Sequence, residues 1–272
     1  MKLLRGSDLV SYISERQAKQ VRALQQSSGI QPKIAIVSCN PSDLPSQTYI
    51  KLKKARADEL GILADVYQVT QQEAADLLKK LAKDTSVHGI ILQLPLQDPT
   101  QTNQLLNLIP PTKDIDGLHP DALVTPATVG AILWLLAGYN IELKDRQILV
   151  IGQGRLVGAP LIKALQQEGF SPTSLGQESN SLELRKALQT ADIIISATGQ
   201  PKLISVQDLR DKQVVIDAGT TELNGKLVGD LDPEVYDSTL DIKVTPAKGG
   251  LGPLTISYLF ENLLFLIDKI QS

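Results

Sequence analysis

Three groups of residues in this chain have the types and spacing to do chemistry. Tyr49 and Lys53 lie four apart in a stretch of helical pattern, so their side chains share one face and can meet. An ammonium partly desolvated beside a phenol exchanges protons closer to neutral pH than one in water. Spacing alone also allows a solvated surface lysine, the description that suits Lys51 and Lys54. Gln93 ends the apolar run Ile91-Leu92-Gln93-Leu94-Pro95, and polar residues at the carboxyl ends of strands in open α/β sheets line the ligand crevice. Asp114 and Asp116 alternate in Lys113-Asp114-Ile115-Asp116-Gly117, so that one faces a pocket while the other faces water. A carboxylate can grip an amino-pyrimidine edge through two parallel hydrogen bonds, and it can equally cap a loop turn.

The third group is a glycine turn. Ile148-Leu149-Val150-Ile151 runs into Gly152-Gln153-Gly154-Arg155-Leu156-Val157-Gly158, and a helical pattern follows, the strand-turn-helix context of a dinucleotide-binding loop. The first glycine allows the tight turn off the strand, and the second lets backbone approach a pyrophosphate lying over the helix N-terminus. The spacing is one residue longer than the usual fingerprint. Glycines serving turn geometry alone remain the alternative.

Other chemistries find little support. Two histidines, His88 and His119, and one cysteine, Cys39, do not make a familiar zinc or iron site. His88 precedes an apolar strand and His119 a proline, positions that suit structural or solvated roles, and no metal site is expected. Cys39 follows Ile34-Ala35-Ile36-Val37 and reads as a buried structural thiol. There is neither a Gly-x-Ser-x-Gly elbow nor a Walker loop. A net charge of −3 and a pI near 5.5 argue against nucleic acid or an anionic membrane as the partner. The first residues have no long apolar run and no stretch approaches the length of a membrane span. With a single cysteine, a reducing cytoplasmic location is the expectation.

The elements that position these groups follow from periodicity and punctuation. Helix is expected at about 8 to 26, with Ser7 as cap, then strand at 33 to 37 and a second helix from about 46 to 60 that stops at Gly61. Strand at 64 to 69, helix at 71 to 83 and strand at 89 to 94 continue an α/β region with a largely parallel sheet. Between 95 and 126 prolines and charges concentrate and mark a domain boundary. An apolar helix at 128 to 136 leads to strands at 147 to 151, 192 to 196, 214 to 218 and 242 to 244. The chain closes with a helix to about Lys269, Pro253 lying in its first turn. The fold class is α/β, an N-terminal domain followed by a Rossmann-like domain with a parallel sheet.

In this order, the pieces resemble the bifunctional methylenetetrahydrofolate dehydrogenase/cyclohydrolase family. The resemblance is carried by Ser46-Gln47-Thr48-Tyr49-Ile50-Lys51-Leu52-Lys53, Gln93-Leu94-Pro95-Leu96 and Lys113-Asp114-Ile115-Asp116-Gly117. Val157-Gly158-Ala159-Pro160, Gly199-Gln200-Pro201, Val228-Gly229-Asp230 and Thr245-Pro246-Ala247-Lys248-Gly249-Gly250-Leu251-Gly252-Pro253 extend it. It implies two domains, 1–120 plus 250–272 for folate and catalysis and 121–249 for the nicotinamide cofactor, with the active site in the cleft between them. It implies oxidation of 5,10-methylenetetrahydrofolate to the methenyl form with hydride passing to NADP or NAD, then hydrolysis to 10-formyltetrahydrofolate. Lys53 would be the acid/base group, assisted by Tyr49 and Gln93, and Asp116 would hold the pterin. Leu92, Leu94, Gly249, Gly250, Leu251 and Gly252 would complete the folate site. Gly152, Gln153, Gly154, Arg155, Gly158 and Thr220 would bind the cofactor. A homodimer is implied by the family.

The chain departs from the family's Gly-Arg-Ser at Gly152-Gln153-Gly154, and no lysine or arginine occurs from 171 to 184. Glu178 is placed to repel a 2′-phosphate or to bind a ribose 2′-hydroxyl. Two other functions are consistent with the altered turn: a folate-binding protein without cofactor use, and another Rossmann oxidoreductase.

Overall fold

A computed structural model describes residues 1–271 apart from Gln177 and Asn224, with Gln271 described in its backbone alone. The elements in chain order are β1 (Lys2–Leu3), α1 (Gly6–Ser28), β2 (Lys33–Ser38), α2 (Leu44–Leu60), β3 (Leu63–Gln68), α3 (Gln71–Lys83) and β4 (Gly89–Gln93). There follow α4 (Thr102–Leu106), α5 (Ala127–Gly138), β5 (Ile148–Ile151), α6 (Gly158–Gln167), β6 (Thr173–Leu175), α7 (Ser181–Thr190) and β7 (Ile193–Ser196). The last are β8 (Val214–Asp217), β9 (Thr221–Leu223), β10 (Lys226–Val228), β11 (Lys243–Val244) and α8 (Leu251–Gln271). The chain divides into two compact units, one of Met1–Leu9 with Thr128–Thr255, the other of Val10–Ala127 with Ile256–Ser272. Residues 1–9, placed by the sequence pattern with the first domain, thus group with the later one, because β1 adds to the edge of its sheet beside β11.

In the unit spanning Val10–Ala127, the parallel sheet runs β3-β2-β4. Strand side chains alternate between faces. Ile34 and Ile36 accordingly join Ile91 and the apolar stripe of α8, including Phe260 and Leu263. Ala35 and Val37 join Ile90 and Leu92 in a second core built with Leu78 of α3 and Leu105 of α4. Covering both faces is what an all-parallel sheet requires. Asp43 caps α2 by accepting from the Ser46 N–H at 2.9 Å, and Gly61 ends the helix in left-handed conformation with φ 75°. Two details of α1 and α8 differ from the sequence pattern. α1 starts before Ser7, so Ser7 does not cap it; its N–H instead donates to the Gly249 carbonyl at 3.2 Å. α8 is long and apolar enough, over 20 residues, to cross a membrane by length and composition, although 61 % of it is buried within the protein. Packing against the sheet explains its apolar character.

The other unit carries a six-stranded parallel sheet, β1-β11-β8-β7-β5-β6, and a small antiparallel hairpin of β9 and β10. From β5 the chain winds outward to β6, then crosses back to β7 on the other side of β5. The strand order therefore reverses there, and the loops after β5 and β7 open at the switch point where doubly wound sheets bind ligands.

Candidate active site

Strand β4 and helix α2 bring the first chemical group together. Lys53, on the inner face of α2, is 8 % exposed. Its Nζ donates to Gln93 Oε1 at 3.2 Å and pairs with Asp116 Oδ2 at 3.7 Å. Gln93 stands at the carboxyl end of β4, and its own Nε2 donates to the Leu94 carbonyl at 2.9 Å. The same carbonyl accepts from Ser46 Oγ at 3.0 Å, tying the first turn of α2 to the strand end. Tyr49 is half-buried one turn before Lys53 on α2. The polar contacts that hold the ammonium come from Gln93 and Asp116, not from the phenol the helical spacing offers. Buried cations need such partners, and here an amide and a carboxylate supply them.

The two alternating aspartates have separate jobs. Asp114 is buried, accepts from Gly117 N at 3.1 Å and His119 N at 2.7 Å, and caps the turn. Burial, the largest cause, raises its pKa above the ordinary carboxylate range despite those bonds. Asp116 is the one left facing Lys53. Asn262 on α8 holds this loop from beneath, donating from Nδ2 to the Ile115 and Thr125 carbonyls at 2.9 Å each. Asn262 and Ser46 were not singled out by sequence reasoning. The only signal was a polar residue interrupting the apolar stripe of α8, since a buried amide has to find partners.

Of the other positions the family likeness selects, Leu92 packs its side chain into the core and offers only backbone, while Leu94 is half-buried. Gly249, Gly250, Leu251 and Gly252 lie in the other unit, at the start of α8. The bland readings of His88, His119 and Cys39 fit the contacts. His88 Nδ1 accepts from Lys33 N at 3.3 Å, His119 Nδ1 accepts from Asp121 N at 2.9 Å, and burial raises the Cys39 thiol pKa.

In the six-stranded unit the glycine turn leaves β5 with Gly152 at φ 94°, the left-handed region. A Cβ on Gly152 would fall 2.5 Å from the Ala197 carbonyl oxygen, and one on Gly158 only 1.9 Å from the Gly152 carbonyl oxygen. These glycines let the turn, α6 and the loop after β7 pack backbone to backbone. Gly154 is different: a Cβ there meets nothing within 4 Å. The N-cap of α6, Val157, makes no side-chain cap bond, so no side chain takes the place of an anion at that helix end. An open turn, an uncapped helix start and a sheet switch point together fit a dinucleotide pyrophosphate. Gln153 and Arg155 are exposed on the turn, and Thr220 is exposed in the loop after β8, its carbonyl oxygen 3.6 Å from where a Cβ on Gly199 would stand.

Two carboxylates, one buried and one half-buried, hold the neighbouring loops. Asp230, with no exposed surface, accepts from Ser196 Oγ at 2.6 Å and Thr198 N at 2.8 Å. Asp217 accepts from Gly219 N at 3.0 Å, Asp230 N at 3.1 Å and Leu231 N at 3.1 Å. Burial, with Asp230 as a lesser contributor, pushes the Asp217 carboxyl up to about 6.

Such a chain, with two parallel α/β sheets, an enclosed lysine–carboxylate–amide cluster and an open glycine turn, is of the class of nicotinamide-dependent enzymes. It belongs to the tetrahydrofolate dehydrogenase/cyclohydrolase family, residues 4–116 matching that family's catalytic domain and 126–271 its NAD(P)-binding domain. The Bifunctional protein FolD of Lactobacillus acidophilus is 35 % identical over 281 residues, covering 98 % of both chains. The crystal structure of the bifunctional FolD enzyme of Campylobacter jejuni superposes with a TM-score of 0.89 at 32 % identity, covering 99 % of each chain. The Trypanosoma brucei enzyme, complexed with NADP cofactor and inhibitor, superposes with a TM-score of 0.90 at 27 % identity, over 99 % of this chain and 98 % of that one.

Proposed function

We propose that Lys53 is the acid/base group of this protein's folate chemistry, held for that task by Gln93 and Asp116. The protein is a methylenetetrahydrofolate dehydrogenase and methenyltetrahydrofolate cyclohydrolase. The observation that carries the role of Lys53 is its enclosure: a mostly buried Nζ between an amide oxygen at 3.2 Å and a carboxylate at 3.7 Å. In the hydrolytic half, water adds to the methenyl carbon, which lies between N5 and N10 of the folate and carries the positive charge. The adduct sheds water's two protons overall, and the bond from carbon to N5 breaks as N5 takes one proton, leaving the formyl group on N10. One proton is released in net. Lys53, acting from its neutral amine form, takes a proton from the attacking water and returns one to N5, a transfer that a positioned group accelerates by about 10²–10⁴-fold. Gln93 orients Nζ through its carbonyl oxygen, and Asp116 holds the amino-pyrimidine edge of the pterin. Tyr49, one turn away, lines the same face of α2.

When bound, NAD or NADP would supply the hydride acceptor of the oxidative half. Gly152, Gly154 and Gly158 would give it backbone, with Gln153 and Arg155 on the turn and Thr220 assigned by the family resemblance. The unit containing Lys53 is accordingly assigned to folate and the six-stranded unit to the cofactor. Assignment of Gly249, Gly250, Leu251 and Gly252 to folate rests on the family resemblance. A homodimer in the cytoplasm completes the proposal, supported by that resemblance and by a single buried cysteine suited to reducing conditions; light scattering on the purified protein checks the dimer. Lys53→Ala tests the chemistry. Methenyl hydrolysis, followed by loss of methenyl absorbance, is expected to collapse while folate still binds, and an unchanged rate would sink the assignment.

A further inference from the structure

The carboxyl end of β6 has a charge pattern that bears on which dinucleotide the protein takes. In a doubly wound sheet this strand end, about 20 residues beyond the glycine turn, faces the adenosine ribose and distinguishes a 2′-hydroxyl from a 2′-phosphate. Three observations describe it here. Gln153 reaches across from the turn, its Nε2 donating to Ser174 Oγ on β6 at 3.3 Å. Its carboxamide lies against the next residues of that strand end, with Cδ 3.4 Å and Oε1 3.5 Å from where a Cβ on Gly176 would stand. From 171 to 184 the chain has no lysine or arginine, but it has Glu178 just past the strand and Glu183 in the first turn of α7.

A 2′-phosphate is a dianion, and a site that selects it supplies fixed positive charge, best from a guanidinium fork. An amide held to a serine hydroxyl supplies none, and Glu178, three residues past the strand in the chain, adds negative charge. The same groups suit a hydroxyl, which both donates and accepts. Arg155 is the sole cation between β5 and α6, and it follows the second glycine, where the pyrophosphate shared by both dinucleotides lies over the helix start.

We infer that this enzyme selects NAD over NADP, and that the uncharged Gln153–Ser174 pair with Glu178 at the end of β6 makes the selection. The inference rests on the six-stranded unit being the cofactor site.

Calorimetric titration of the full-length protein with NAD, and separately with NADP, tests it without turnover. NAD is expected to bind about tenfold tighter or better. NADP binding as tightly as NAD, or tighter, overturns the inference while leaving the cofactor site standing. Absence of binding by either overturns the cofactor site itself. Two variants locate the selection. Gln153→Arg is expected to shift the NADP-to-NAD affinity ratio about tenfold toward NADP, and an unchanged ratio would remove Gln153 from the role. Arg155→Ala is expected to weaken both dinucleotides equally. A selective loss of NADP would show that Arg155 reads the 2′ position and would overturn the assignment to the β6 end.

Discussion

The two units build their sites in opposite ways. Around Lys53, backbone holds side chains and the side chains face the ligand: the Leu94 carbonyl fixes Gln93 and Ser46, and the Ile115 and Thr125 carbonyls, gripped by Asn262, fix the loop of Asp116. Around the glycine turn, the carboxylates of Asp217 and Asp230 hold backbone, and in the proposed function the backbone is what meets the ligand. Asp217 and Asp230 accept from N–H groups of 198, 219, 230 and 231, while Gly152, Gly154 and Gly158 leave the backbone bare at three points of the turn after β5. Proton transfer needs a titratable group at a defined point, which only a side chain supplies. Binding a pyrophosphate needs close approach and many N–H donors, which a side chain would obstruct. The two kinds of site therefore break in different ways.

The largest expected effect is at Lys53. Lys53→Ala lowers methenyl hydrolysis by about 10²–10⁴-fold, more than any loss of folded protein followed by thermal unfolding accounts for. A rate loss explained by unfolding alone would erase the contrast between the units. Gly158→Ala should act the other way round, with stability falling first. The new methyl cannot avoid the Gly152 carbonyl oxygen 1.9 Å away, so urea unfolding should show a loss of about 1–3 kcal/mol together with weaker dinucleotide binding. An unchanged urea midpoint would show that the turn is not packed backbone to backbone.

A pH effect comes next in size. The Asp217 carboxyl is raised from 3.8 to about 6, so the folded protein holds that proton more tightly than the unfolded chain does. The stability it contributes is fully present below about 3.8 and is lost as pH rises through about 6. Urea midpoints at pH 4.5 and 7 should therefore fall more in the native protein than in Asp217→Asn. Equal falls would remove the buried carboxylate from the account. The smallest effect is expected at Gly154→Ala, where the added methyl meets nothing and stability should stay within about 0.5 kcal/mol. A large loss there would mean the turn is less open than its geometry shows.

Much of this is legible in the sequence. The strand at 33–37, the stop of α2 at Gly61 and the glycine turn all declare themselves through local rules: short apolar runs, a left-handed C-cap and a tight strand-to-helix turn. β1, β6 and the β9–β10 hairpin did not, because strands of two or three residues carry too little periodicity to stand out. β1 exists only because β11 offers it an edge. The start of α1 was misplaced for a similar reason. Ser7 looks like a cap, yet the N–H of Ser7 is satisfied by Gly249, more than 200 residues away.

The sequence by itself determined the class of chemistry. Lysine, glutamine and aspartate at the ends of recognisable elements, and glycines after an apolar run, are choices made residue by residue, because proton transfer and backbone approach depend on residue type. Tertiary structure alone decided the pairings: that Lys53 is held by Gln93 and Asp116, not by Tyr49, that Asp114 caps while Asp116 faces the lysine, and that Gln153 leans on Ser174. Spacing along a helix or loop defines which residues share a face. Which of them meet a partner depends on the packing of elements far apart in the chain, and only the folded protein brings those elements together.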